Sequence, residues 1–238
     1  MPQKSLDWMM AVGTTGNYPY NFSWMGRPII QYPQDMVAMQ ELIWSIKPDL
    51  IIEIGIAHGG SLVFSASMLA LLDLDDAIVS GNTVDPKAFK RKVLGIDIDI
   101  RAHNRVAIEA HPMASRIKMI EGSSIVPEII SQVKKEAKKY RRIMVCLDSN
   151  HTHDHVFAEL EAYSSLVTVG SYCVVFDTLI EDMPAGSFPD KPWDTGNNPR
   201  TAVEAFLKTN DRFEVDYTID AKLQISAAPG GYLKCVSE

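Results

Sequence analysis

Apolar residues along this chain fall into short unbroken runs alternating with longer stretches of helical period. "DLIIEIG" (49–55), "KVLGIDIDI" (92–100), "RRIMVCLDSNH" (141–151) and "GSYCVVFDT" (170–178) each carry a continuous apolar run closed by glycine or an acid. That is the pattern of strands buried on both faces. "IKMIEGSS" (117–124) predicts another strand. Between them lie predicted helices. Gln34 to Lys47 places Met36, Met39, Leu42, Ile43 and Ile46 on one face, and further helices cover "GGSLVFSASMLALLDL" (59–74), "RAHNRVAIEAHP" (101–112), Val126 to Lys138 and "HDHVFAELEAYSSLV" (153–167). "RTAVEAFLKTN" (200–210) reads as a last helix, with "FEVDYTI" (213–219) and "GYLKCV" (231–236) as two closing strands.

Five successive strand–helix alternations predict an α/β fold, a doubly wound parallel sheet with helices on both faces. Residues 34–238 form one domain on this reading. Residues 1–33, rich in Gly, Pro and aromatics (Tyr18, Tyr20, Phe22, Trp24), show no clean period and are expected to be an N-terminal arm or lid. Residues 178–199 are too rich in Pro and Gly for regular structure. They begin where the fifth strand ends, on the side where open α/β sheets bind ligands, which marks them as an active-site lid loop.

Composition narrows the partners. A formal net charge of -7 argues against nucleic acid. No apolar stretch is long enough for a membrane span, and the N-terminus lacks a secretory h-region. Cys146, Cys173 and Cys235 sit singly in apolar runs without CxxC spacing, which suits buried free thiols in a reducing, cytoplasmic compartment.

The chemistry gathers at the ends of the strands. In "EIGIAHGGS" (53–61) an acid closes the first strand, Gly55 permits a tight turn, and Gly59 and Gly60 let backbone approach a ligand at a helix start. The spacing is not the dinucleotide fingerprint; it suits a nucleoside carrying a carboxylate and an amine, although close packing alone also calls for small residues there. Asp97, ending the second strand, is placed to accept hydrogen bonds from ribose hydroxyls, whereas Asp99 fits a helix cap. Ser123 and Ser124 follow the third strand, either beside a nucleobase or, for Ser124, as a helix cap. Asp148 and Asp177 end the fourth and fifth strands and converge, as a hard divalent cation requires. His151, three residues beyond Asp148, is positioned as a base. His153 and His155 open a helix and carry no assigned role.

These residues together resemble the class I S-adenosylmethionine-dependent methyltransferases, with site spacing like the metal-dependent O-methyltransferases. The segments "IEIGIAHGGSLVFSASML", "VLGIDIDIRAHN", "LDSNHTHDHVFAELEAYSSLVTVGSYCVVFDT" and "PWDTGNNPRTAVEAFL" resemble the cephalosporin hydroxylase/rhamnosyl O-methyltransferase family. The resemblance implies a Rossmann-like sheet of seven strands with the last strand pair antiparallel. It implies S-adenosylmethionine bound over Gly55, with Glu53 and Ser61 at its methionine end, Asp97 on the ribose and Ser123, Ser124 and Asp148 nearby. It implies Mg²⁺ on Asp148 and Asp177, and His151 as general base. One position departs: relatives often carry two adjacent acids at the end of the fifth strand, and the first is here Phe176. Thr178 or water then completes the shell, with Glu181 and Asp182 as further carboxylates. The expected activity is O-methylation of a hydroxyl on a sugar, polysaccharide or glycosylated natural product, by a homo-oligomer. The alternatives are a hydroxylase or hydroxylase component acting on a β-lactam-like small molecule, and a non-catalytic nucleotide-binding module.

Overall fold

The computed structural model describes residues 2–85 and 89–238. Its centre is a seven-stranded sheet of β3 (Leu50–Ile54), β4 (Lys92–Asp97), β5 (Ile117–Glu121), β6 (Ile143–Leu147), β7 (Tyr172–Val175), β8 (Phe213–Val215) and β9 (Tyr232–Cys235), ordered β5-β4-β3-β6-β7-β9-β8. The pairs β5/β4, β4/β3, β3/β6 and β6/β7 are parallel, and β9 runs antiparallel to both its neighbours. The predicted doubly wound sheet with its antiparallel end is therefore the observed one.

Side chains alternate across each strand and divide the core in two. Ile51, Val93, Met144 and Val174 pack toward α2 (Pro33–Ile46) and α3 (Gly60–Ser80). Leu50, Ile52, Ile54, Val145 and Leu147 pack toward α5 (Pro127–Ala137), α6 (His153–Tyr163) and α7 (Pro199–Leu207). Helix α4 (Ala102–Glu109) connects β4 to β5. The sheet order reverses between β4 and β6 on either side of β3, and the crevice beyond the carboxyl ends of β3 and β6 is the place such folds offer a ligand.

The structure differs from the sequence expectations in three places. The arm is regular: it contains α1 (Gln3–Gly16) and a short hairpin of β1 (Phe22–Trp24) and β2 (Arg27–Ile29). Its order comes from aromatic edge contacts of Trp8 on Tyr18 and Tyr18 on Phe22, which periodicity does not reveal. Helix α3 continues past Leu74 until Gly81, in the left-handed region, ends it. The expected strand 213–219 breaks at Asp216, whose carboxylate accepts from the Thr218 N–H and starts helix α8 (Tyr217–Leu223). No helix among the described residues is long and apolar enough to cross a membrane.

Candidate active site

A cleft of about 730 Å³ opens at the β3/β6 switch point, walled by the arm on one side and by the segment after β7 on the other. Gly55, Ser61, Asp148, His151 and Asp177 all line it. Beneath it a cavity of about 30 Å³ is lined by Glu53, Gly55, Ser61, Cys146, Asp148 and Phe176. The strand register accounts for the neighbourhood: Glu53 pairs with Cys146 and Leu147 with Val175, so Asp148 and Phe176 emerge side by side, with Asp177 the next residue.

Glu53 is buried, accepts a short hydrogen bond from the Ser65 hydroxyl and is also hydrogen-bonded to Ser61. Burial raises its carboxyl pKa and the two hydroxyls pull it back. Gly55 has φ +100°, and a Cβ there would lie 1.9 Å from the Asp148 carbonyl oxygen, so the tips of β3 and β6 meet only because that side chain is missing. Gly59 and Gly60 are each closely approached by protein. A Cβ on Gly59 would strike Ile108, and one on Gly60 would lie 2.2 Å from the Pro28 carbonyl oxygen of β2.

The loop from Gly55 to Gly60 is held by three side chains from distant segments. Asp97 accepts from the Ile56 N–H at 2.8 Å and the Ala57 N–H at 3.3 Å. Asn104 donates to the Ala57 carbonyl at 2.9 Å, and Arg27 donates to the His58 carbonyl and to Asn104 Oδ1. Asp97, expected on a ribose, thus braces the loop and does not line the cleft. Nor do Ser123 and Ser124. Ser124 is buried and donates to Glu159 Oε1 at 2.5 Å, while its carbonyl accepts from Tyr163. Arg27 and Asn104 gave no local signal in the sequence, because what they hold lies dozens of residues away.

At the other wall, His151 Nε2 lies 3.1 Å from Asp177 Oδ2, and single donor atoms of Asp148, His151 and Asp177 all fall within 4.8 Å of one another. Asp177 sits at φ 57°, ψ 19°, a left-handed conformation that costs a non-glycine residue energy and recurs at functional sites. Burial, and then the facing Asp177, push the Asp148 carboxyl well above the usual carboxylate range. Two carboxylates and an imidazole so close fit a divalent cation. Donors facing each other across Mg²⁺ at ~2.1 Å bonds stand about 4.2 Å apart, and a cation there would relieve the repulsion between the acids.

Three expectations about this shell change. Thr178 is buried and donates to the Pro229 carbonyl at 2.9 Å. Glu181 accepts from the Gly196 N–H and from Asn198, and Asp182 pairs with Arg200, so both acids brace the segment after β7. Phe176 is buried among the apolar residues below the cleft. His153 and His155, left without a role, are structural. The His153 N–H donates to Asn197 in the segment after β7, and His155 reaches Glu159. Trp193 of the same segment meets the His151 ring edge-on at 4.7 Å between centroids. Tyr32, also in the cleft wall, is held protonated, its pKa pushed up to about 12 by burial and by Asp177.

The model of the family Rhamnosyl O-methyltransferase/CmcI matches residues 16–236. A rhamnosyl O-methyltransferase of Mycobacterium bovis is 30% identical over 219 residues, covering 89% of this chain and 77% of the relative. That of Mycobacterium leprae is 29% identical over 221 residues, covering 92% and 85%. Among solved structures, CmcI with Mg and SAM superposes with TM-score 0.58 at 17% identity, covering 92% of this chain and 78% of that one. An O-methyltransferase from Bacillus cereus in complex with SAH gives TM-score 0.53 at 16% identity, covering 90% and 83%. The solved structures are alike in fold.

Proposed function

The chain belongs to the Rhamnosyl O-methyltransferase/CmcI family, and from that premise we propose that it is an S-adenosylmethionine- and Mg²⁺-dependent O-methyltransferase. Its acceptor is a hydroxyl of a sugar, a polysaccharide or a glycosylated natural product. The observation that carries this reading is the grouping of Asp148, His151 and Asp177 in the cleft that begins at Gly55. Two carboxylates and one imidazole also differ from the two-histidine, one-carboxylate set of a non-haem iron oxygenase, which disfavours the hydroxylase alternative.

When bound, S-adenosylmethionine supplies an activated methyl group and Mg²⁺ lowers the pKa of the acceptor hydroxyl. Gly55, Glu53 and Ser61 would hold the amino-acid end of the methyl donor, Glu53 offering a carboxylate to an ammonium group. Asp148 and Asp177 would hold the cation. His151 directs Nε2–H at Asp177, which leaves Nδ1 to accept the proton of the acceptor hydroxyl, and Asp177 then faces and stabilises the imidazolium. Trp193 against the imidazole keeps water from it. Three buried cysteines free of disulfides suit a reducing, cytoplasmic compartment. Exposed Trp44, Leu71 and Ile78 on α2 and α3 support a homo-oligomer.

The test is incubation with methyl-labelled S-adenosylmethionine and a panel of rhamnosides and other glycosides, with Mg²⁺ or with chelator. Label on a glycoside, lost with chelator and with Asp148→Asn, is the expected result. Label on no glycoside, or equal label from the variant, would overturn the reading.

A further inference from the structure

We propose that Gln31, in the arm outside the sheet, is a positioning residue that orients Asp148 for the cation; this rests on the reading of the site given above. Gln31 Nε2 donates to Asp148 Oδ2 at 3.3 Å, across 117 residues of sequence. Among the described residues it is the side chain that donates to that carboxylate. Gln31 lines both the cleft and the small cavity beneath it, at the boundary where Asp148 is exposed to both.

The need for such a residue follows from the charges. Asp148 and Asp177 bring carboxylate oxygens within 4.8 Å of one another, and two acids so close need a donor to hold each in place. A hydrogen bond to one oxygen fixes the plane of the group and directs the other. Asp177 is treated in the same way by His151 on its Oδ2. The donor at Gln31 is neutral, and this matters. A lysine or arginine at hydrogen-bond distance would neutralise the acids and take the place of the cation, whereas a carboxamide orients the acid and leaves its charge for the metal.

The arm delivers Gln31 with little freedom. The Pro28 carbonyl oxygen lies where a Cβ on Gly60 would be, Arg27 is forked onto the His58 carbonyl and Asn104, and Ile29 is buried at the start of α3. Strand β2, two residues before Gln31, is therefore registered on the same loop that shapes the cofactor end of the cleft.

The experiment is calorimetric titration of Mn²⁺ into the full-length protein saturated with S-adenosylhomocysteine. It compares wild type with Gln31→Leu and Gln31→Met, and S-adenosylhomocysteine affinity is measured separately without metal. The expected result is Mn²⁺ binding about tenfold weaker or more in both variants, with metal-free S-adenosylhomocysteine affinity and melting temperature unchanged. Unchanged Mn²⁺ affinity would overturn the inference. So would a joint loss of Mn²⁺ and S-adenosylhomocysteine binding, which would make Gln31 a general wall of the cleft. Gln31→Met keeps the length and flexibility of the side chain and is read alone should Gln31→Leu not fold. Absence of Mn²⁺ binding by wild type would instead sink the metal-dependent reading of the site itself, a separable outcome.

Discussion

Two clusters of acid and imidazole flank the connection from β6 to α6. In one, Glu159 is fully buried and its Oε1 accepts from Ser124 at 2.5 Å and Ser149 at 2.6 Å, with His155 Nε2 at 3.1 Å; its Oε2 has no hydrogen-bond partner among the described residues. In the other, Asp148 and Asp177 face one another in an open cleft, with His151 against one of them and Gln31 against the other. The first cluster brings several donors to a single carboxylate and ties the tips of β5 and β6 to α6. The second gathers two carboxylates with few donors. What separates them is the pair of carboxylates facing one another beside a cavity, an arrangement that points to a ligand.

The sharpest way to break that contrast is to remove one imidazole at a time. His151→Ala should lower turnover by about 10²–10⁴-fold, the usual loss for a general base, with cofactor affinity nearly intact. His155→Ala should leave turnover within a few-fold and lower the melting temperature instead. Equal losses in the two variants would erase the distinction. Next come the acids. Mn²⁺ at about 100 times its Kd should stabilise wild type by about 2.7 kcal/mol, visible as a rise in melting temperature, and Asp148→Asn or Asp177→Asn should abolish the rise. Glu159→Gln should keep it while costing about 1–3 kcal/mol of stability through the disturbed buried hydrogen bonds, read by chemical denaturation. A Glu159→Gln protein that no longer responds to Mn²⁺ would show that the two clusters are one site.

The smallest effect lies in Asp35, which joins α2 to the loop behind the tip of β7. It accepts from the Ser226 hydroxyl, the Ala227 N–H and the Tyr232 hydroxyl, and burial pushes its carboxyl up to about 6. A folded value above the unfolded one, about 3.9, means the folded protein holds the proton more tightly. Its contribution is therefore full below about pH 4 and is lost as pH rises through about 6. Melting temperatures of metal-free protein at pH 4, 5, 6 and 7 should fall more steeply for wild type than for Asp35→Asn. Parallel curves would show that this carboxyl does not titrate in the window.

Much of this could be read from sequence because the informative residues lie on strands buried on both faces. Runs such as Ile143–Leu147 declare themselves without a partner, and the next residue, Asp148, is then placed at a strand end by counting. The same counting places Asp177 and His151. It fails where the reason for a residue is a contact far away in sequence. Gly59 and Gly60 are also crowded by Ile108 and by Pro28, which no spacing reveals. Asp97 also braces the glycine loop, and Thr178 is bonded to Pro229. Gln31 stands in a proline-containing segment with no period, so its distance to Asp148 is invisible until the chain is folded.

The tips of β3, β6 and β7 should be the place where a cation and a methyl donor meet. Crystals grown with S-adenosylhomocysteine and Mn²⁺, measured for anomalous scattering, should show the ion bonded to both Asp148 and Asp177, with the homocysteine sulfur in the same cleft beside Gly55. An ion bound elsewhere, or a cofactor seated away from the tips of β3 and β6, would contradict it.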